Sequence, residues 1–555
     1  MHETEQWRFW AGQVLMAGFD GTEPNQAIRD LIQSHHVGNI ILFSRNVANA
    51  RQLRSLTAGL QELARESGQP WPLLIATDQE NGMVRRLPPD IPGLPGNMAL
   101  AATGDPALVQ EVGMVTGQLL RAVGINMDLA PVLDVNNNPD NPVIGVRSYG
   151  DRADRVARFG AAMIRGLEAG GVLACGKHFP GHGDTVVDSH RALPEIPHDW
   201  ERLRQVELPP FIHAMQNGLD AVMTAHIVFR AVDSRPATLS EPILTGWLRK
   251  SFGFNGVILT DCLEMDAIQK TVGAAQGAVD ALKAGADIVL VSHSRQQQLA
   301  ALNAIVAAVA SGELPQSRLQ DAARRVQTMK SRRLGDWNRY RASLEPESWE
   351  DLTAKAAVLQ QRASSRAVTW LSRGDALPLS ASAIRRIAVL YDETASPMVP
   401  AGSENPVGQA LVQAARAVLP EAEVHRYGFP SVLHHESPAG LRQRIARADV
   451  IISGLNGTQN RLYLEFVQSI QSLAVPHVVF LLRSPYDARA VADAPHILAL
   501  YETTPWMYEA GVRAMVGGEA RGRLPVEVLP VFSRDHAAGG GRGGPERCRG
   551  GRLGL

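Results

Sequence analysis

The chain has 555 residues, 45% hydrophobic and 20% charged, and its 55 Lys and Arg balance 56 Asp and Glu to a net charge of −1. So even a balance gives no electrostatic case for a nucleic acid or an acidic membrane as the main partner, and no apolar run reaches the ~18 residues that span a bilayer. Three cysteines, Cys175, Cys262 and Cys548, exclude a disulfide scaffold and fit a reducing compartment.

The N-terminal stretch MHETEQWRFWAG is acidic and polar before it is apolar, which is not a signal-peptide pattern, so a cytoplasmic location is expected. Nearly all basic residues are Arg, which reads as codon bias rather than a binding signal. From residue 14 onward, short apolar or β-branched runs alternate with helical stretches. The runs are 14–19, 39–43, 72–78, 126–134, 172–179, 221–227, 256–261 and 286–292. Between them lie helical segments such as 106–122 and 152–169. Near-continuous apolar strands between helices indicate a parallel sheet covered on both faces. Eight such units in about 300 residues match a closed (β/α)8 barrel. An open doubly wound sheet is the competing arrangement, but it concentrates polar residues at one switch point. Here they follow nearly every strand.

A polar connector and a helix occupy 336–365. A second α/β pattern begins at Arg366, with strands expected at 385–392, 448–455, 477–483 and 496–502 and helices at 405–418 and 461–473. The chain thus divides into a TIM-like barrel over 1–335, a linker helix over 336–365, a smaller open α/β sandwich over 366–533, and a tail over 534–555. The sandwich carries neither a P-loop nor GxGxxG, so no nucleotide cofactor is called for. The Gly/Arg tail cannot bury a core and is read as disordered rather than as an RNA-binding arm.

Polar residues cluster where the barrel strands end, the face on which such barrels place their active sites. In chain order they are Asp78, Asp128, Asp134, Arg147, Lys177, His178, Asp188, His190, His226 and Asp261. One Asp after a strand is usually a helix cap. A set mixing carboxylates, Arg, Lys and His suits a neutral ligand with many hydroxyls. The densest stretch, KHFPGHGDTVVDSH (177–190), admits three readings. A metal site would use His178, His182, Asp184, Asp188 and His190, although Pro180 and Gly181 break the helix that His-x3-His spacing needs. A second reading is a Gly-rich loop with solvent-facing His. In the third, Asp188 and His190 lie on one side of an extended segment. The carboxylate then orients and charges an imidazole that acts as a proton donor, and Gly181 and Gly183 leave the loop free to move. Asp261 ends a buried strand. If Lys177 and Arg147 converge on it, it stays ionised. A fixed ionised Asp with a separate proton donor is what retaining glycoside hydrolysis requires.

The motifs ILFSRN, ATDQENGMVRRL, NMDLAPVLDV, RSYGD, KHFPGHGDTVVDSH and PATLSEPIL…FGFNGVILTDCLEMDAI resemble those of family 3 glycoside hydrolases, in the β-N-acetylglucosaminidase branch. The resemblance covers 10–335 and continues less specifically through LLRSPYD and GEARGRLPVEV. It implies Asp261 as nucleophile, His190 as proton donor with Asp188 as its partner, and Asp78, Arg86, Arg147, Lys177 and His178 as contacts to the sugar hydroxyls and 2-acetamido group. It implies a small N-acetylglucosamine-containing glycoside as the partner, no cofactor and no metal. Two positions depart from the pattern. Asn81-Gly82-Met83 replaces the usual Gly-Gly-Arg, and Cys262 replaces a second Asp after the nucleophile. A neutral neighbour removes a like charge and should lower the Asp261 pKa. Barrel-only members of the branch are linked to cell-wall recycling. Those with a second domain act more broadly, so both substrate pools remain open. A phosphorylase, a β-glucosidase-type enzyme, a metal-dependent hydrolase and a non-enzymatic sugar-binding protein are the competing functions. Asp184 is the next candidate donor after His190.

Overall fold

The computed structural model describes residues 3–189, 192–343, 348–394 and 407–534. His190 lies outside these residues, as does the expected tail from 535 onward.

Eight parallel strands close a barrel in sequential order: β1 (Leu15–Ala17), β2 (Asn39–Leu42), β3 (Leu74–Thr77), β4 (Met127–Asp128), β5 (Leu173–Phe179), β6 (Ala221–Thr224), β7 (Val257–Cys262) and β8 (Ile288–Val291). Met16 closes the ring, facing Asn39 on one side and Leu290 on the other. The strands are buried on both faces, and their side chains alternate with the period of two that a pleat imposes. Met16, Ile41, Leu74, Met127, Leu173, Cys175, Met223, Leu259 and Leu290 fill the barrel interior. Ile40, Leu42, Ile75, Ala174, Val222, Ile258 and Val289 pack outward beneath the helices. Pro106–Ala122 and Ala153–Ala169, two of those helices, lie where the sequence placed them. Asp105 caps the first by accepting from the Ala107 and Leu108 N–H groups.

The connector holds two helices, Trp337–Ser343 and Trp349–Ala367. The second domain is a six-stranded sheet of β9 (Thr369–Arg373), β10 (Arg386–Asp392), β11 (Glu423–Phe429), β12 (Val450–Leu455), β13 (His477–Leu481) and β14 (His496–Ala499), in the order β9-β14-β13-β12-β10-β11. Sequence reading found four of these. It missed the two edge strands, antiparallel β9 and half-exposed β11. Edge strands keep solvent on one side and lack the continuous apolar run of a central strand.

The sheet domain docks on the barrel at several polar contacts. The Gly96 N–H donates to Glu502 at 2.8 Å, and Asn136 donates to the Tyr486 hydroxyl at 3.3 Å. Thr503 donates its backbone N–H and its hydroxyl to the Met83 sulfur, each at 3.2 Å. Thus Met83, the residue that departs from the motif, belongs to the domain contact. Gly82 (φ 52°) lies in the left-handed region, and a Cβ there would strike the Glu502 carboxylate. Among the described residues no helix is long and apolar enough to cross a membrane.

Candidate active site

A cavity of about 550 Å³ opens at the C-terminal ends of the barrel strands. Asp78, Arg86, Arg147, Lys177, His178, Asp188 and Asp261 all line it. Every described residue of the expected site is therefore in one place. A cavity of about 660 Å³ lies at the opposite end, against Asp220 and Arg332. Asp220 is committed there to Arg332 and Arg333, and the expected site residues are absent from its lining.

A charge network forms one wall of the upper cavity. The Lys177 ammonium, at the end of β5, sits 2.7 Å from Asp78 and 2.7 Å from Glu80. Arg147, on a short 3-10 turn, grips Glu80 with two parallel bonds, Nε at 2.8 Å and Nη2 at 2.7 Å. Burial works to raise the Glu80 pKa, but the Arg147 and Lys177 charges overcome it and hold the carboxyl well below its usual range. Burial works to discharge Lys177, and Asp78 and Glu80 more than offset that, so the ammonium is held charged. The sequence expectation that Lys177 and Arg147 converge on Asp261 needs correcting. Their contacts run to Asp78 and Glu80, which follow β3, two strands from the β5 that carries Lys177, so the bonds cross the mouth of the barrel over β4. Glu80 itself was not singled out. Its signal was the acidic pair Asp78-x-Glu80, whose i and i+2 side chains share a face after a strand.

Asp134 positions the next group. Its Oδ2 lies 2.8 Å from His178 Nδ1, and its Oδ1 accepts the backbone N–H groups of His178 at 3.2 Å and His182 at 2.7 Å. Burial pushes the Asp134 carboxyl up, but the His178 imidazole, with the His182 backbone N–H, overcomes it and holds it low. His182 contacts the Thr185 hydroxyl at 2.8 Å and the Ser189 hydroxyl at 3.0 Å. Burial, then the neighbouring His178, lowers its pKa to about 4, so it is neutral at pH 7. Asp184 turns to His198 at 2.5 Å. His178, His182 and Asp184 thus turn to different partners instead of converging on one point, and Asp184 instead groups with His198 and Glu207, their ligand atoms within 4.8 Å of one another. Gly181 (φ 141°) needs glycine, and a Cβ on Gly183 would strike the Val135 carbonyl. These glycines permit the loop to pack this closely.

Asp128 is fully buried beneath the cavity. One of its oxygens accepts the Gln79 N–H at 2.9 Å, and the other has no hydrogen-bond partner. Burial raises its pKa well above the usual carboxylate range, against the Gln79 N–H and the Lys177 charge and with the help of Asp78 and Glu80. His226 is also buried, in contact with the Thr238 hydroxyl and the Cys262 carbonyl. Both are structural rather than substrate-facing.

Asp261 stands near the end of β7, half-buried, and its Oδ1 accepts the Cys262 N–H at 2.7 Å. Burial pushes the Cys262 thiol up to about 12, so it is neutral beside Asp261. Asp188 faces the same cavity. Its expected partner, His190, is outside the described residues. Arg483, from the turn after β13, reaches the cavity wall from the second domain. Sequence reading named no residue there, although LLRSPYD carried the signal.

Residues 8–329 match the model of the glycosyl hydrolase family 3 N-terminal domain. A β-hexosaminidase of Chromobacterium violaceum is 36% identical over 63% of this chain and 93% of its own length. β-Hexosaminidase A of Pseudoalteromonas piscicida is 41% identical over 47% of this chain, and the chain spans about half the length of that relative. The structure of a family 3 β-N-acetylglucosaminidase from Paenibacillus sp. str. FPU-7 superposes with a TM-score of 0.83 at 38% identity, covering 94% of this chain and 99% of that one.

Proposed function

The chain belongs to glycosyl hydrolase family 3, and we propose that it releases terminal β-linked N-acetylglucosamine from small glycosides as an exo-acting, retaining hydrolase. One observation carries the reading. Asp261 and Asp188 face a single cavity whose wall is the Asp78–Lys177–Glu80–Arg147 network. The names of the relatives agree with it.

In this reading Asp261 attacks the anomeric carbon while the glycosidic oxygen leaves with a proton from His190, which Asp188 orients and charges. The covalent glycosyl ester is then cleaved by water, whose proton returns to His190. Two displacements at one carbon retain the β-configuration. Asp78, Lys177, Arg147, Arg86 and His178 hold the sugar hydroxyls and the 2-acetamido group. Charge-assisted bonds of this kind are roughly twice as strong as neutral ones. The network reaches the substrate already paired, so binding needs little reorganisation.

A panel of chromogenic β-glycosides tests the assignment. The N-acetylglucosaminide should turn over well ahead of the glucoside, because a site built to bond a group rejects analogues that leave its polar atoms unpaired. Equal or faster turnover of the glucoside refutes it. His190→Ala should slow poor leaving groups by ~10²–10⁴-fold and activated phenols far less. Equal loss for both removes His190 as the donor.

A further inference from the structure

The position after the nucleophile carries Cys262 where the motif calls for a second Asp, and the function above makes no use of the thiol. The structure gives it a setting. Cys262 Sγ lies 3.7 Å from Glu264 Oε2, and His293 Nδ1 lies 3.6 Å from that same oxygen. The thiol, carboxylate and imidazole ligand atoms all lie within 4.8 Å of one another. All three residues line the cavity that holds Asp261.

We propose that Cys262, Glu264 and His293 form a binding site for a zinc-class divalent cation at the rim of the catalytic cavity. The spacing fits that chemistry. Metal–ligand bonds of about 2.3 Å to sulfur, about 2.1 Å to oxygen and about 2.0 Å to nitrogen set tetrahedral edges of about 3.6 Å for S–O and about 3.4 Å for N–O. The two edges to the carboxylate oxygen are 3.7 and 3.6 Å, and the sulfur–nitrogen edge is within 4.8 Å against about 3.5 Å in a tetrahedron, so the exposed His293 ring turns inward to close the third edge. The donor set, one soft sulfur with one nitrogen and one oxygen, favours zinc over magnesium or calcium.

The surroundings hold the ligands in place. Glu264 accepts the backbone N–H groups of His293 at 2.7 Å and Ser294 at 2.8 Å, which fixes the carboxylate and leaves a lone pair of each oxygen free. The His293 ring rests against Phe43, with centroids 5.5 Å apart. The Ser292 hydroxyl bridges the thiol at 3.0 Å and His293 Nδ1 at 2.8 Å. A cation takes over that bridging place, and Cys262 releases its proton to solvent. The nearby Arg45 guanidinium is paired with the exposed Asp20 at 2.8 Å and also acts on Glu264 and Cys262, so it is the charge against which a bound cation must compete. Three protein ligands leave a fourth position open toward the cavity, where a bound cation obstructs the glycoside. The site is therefore inhibitory, a clause that rests on the proposed function. The binding claim does not.

The test uses the full-length protein, reduced and metal-free, with Co²⁺ or Cd²⁺ as the probe and thiolate-to-metal charge-transfer absorbance as the readout. One cation per chain should produce the band. Cys548→Ser should keep it and Cys262→Ser should abolish it. His293→Gln, a change at an exposed side chain that keeps the fold, should weaken binding at least ~10-fold and relieve inhibition of glycoside turnover by Zn²⁺ in parallel. A band that survives Cys262→Ser, or equal affinity in His293→Gln, overturns the site. A band with no loss of turnover keeps the site and overturns its inhibitory role.

Discussion

Glu80→Gln tests whether one carboxylate holds the sugar-binding wall together. The Glu80 side chain is 3% exposed, and its oxygens take bonds from both arms of Arg147 and from Lys177. The amide keeps the shape, removes the charge and turns one acceptor into a donor that faces a donor. Arg147 loses its bidentate partner, and Lys177 retains contact with Asp78. Removing one member of a buried ion pair costs about 3–5 kcal/mol, and that loss is predicted at pH 7. The pH dependence follows from the lowered pKa. The folded carboxyl ionises well below the ordinary value of 4.5. Its stabilising contribution is therefore full above pH ~4.5 and is lost as pH falls toward the folded value. One proton taken up by the unfolded chain alone changes stability by about 1.4 kcal/mol per pH unit. The gap between parent and variant should thus narrow by about 2 kcal/mol between pH 4.5 and 3. Urea unfolding followed by tryptophan fluorescence at pH 7, 4.5 and 3 measures it. A gap under about 1 kcal/mol at pH 7, or one that does not narrow in acid, refutes the reasoning.

Asp128→Asn should behave in the opposite way. Burial raises the pKa of this acid, which favours its protonated form, so its stability at pH 7 is predicted to change by less than about 1 kcal/mol in the same assay; a loss as large as that of Glu80→Gln would mean the group is ionised. Burial raises the Glu502 pKa to about 7 despite bonds from Gly96, Thr504 and Trp506. The folded protein therefore holds a proton there that the unfolded chain releases near pH 4.5. This contribution is full below that value and is lost as pH rises through about 7. Unfolding at pH 5, 6, 7 and 8 should show that decline, and Glu502→Gln should flatten it; an unchanged slope places the titration elsewhere. Arg483→Met should raise KM for an N-acetylglucosamine disaccharide by ~10–100-fold, as expected for one charged hydrogen bond. An unchanged KM removes the second domain from substrate binding.

The barrel was legible because strands buried on both faces cannot tolerate polar interruptions, so each appeared as an apolar run with chemistry at its end. The central strands of the second domain appeared for the same reason. Strand β11 did not, because His425 and Arg426 face solvent at a sheet edge. The candidate site was legible residue by residue, but not its wiring. Nothing local distinguishes Asp134, which holds two histidines, from Asp261, which faces the cavity, since each closes an apolar run in the sequence. Which cation meets which carboxylate depends on how the segment after β3, the end of β5 and the turn at Arg147 meet across the barrel mouth, and this sent Lys177 and Arg147 to Glu80. Arg483 and Met83 acquire their roles only when the domains dock, a contact that separates them by hundreds of residues from their partners.

The central claim is that Asp261 becomes covalently bonded to the sugar. It is tested most directly by treating the protein with a 5-fluoro β-N-acetylglucosaminyl fluoride, digesting it, and weighing the peptides. The account predicts one added sugar on the peptide carrying Asp261 and none in Asp261→Asn. A sugar on any other carboxylate, or no adduct from enzyme that turns the reagent over with inversion, would contradict it.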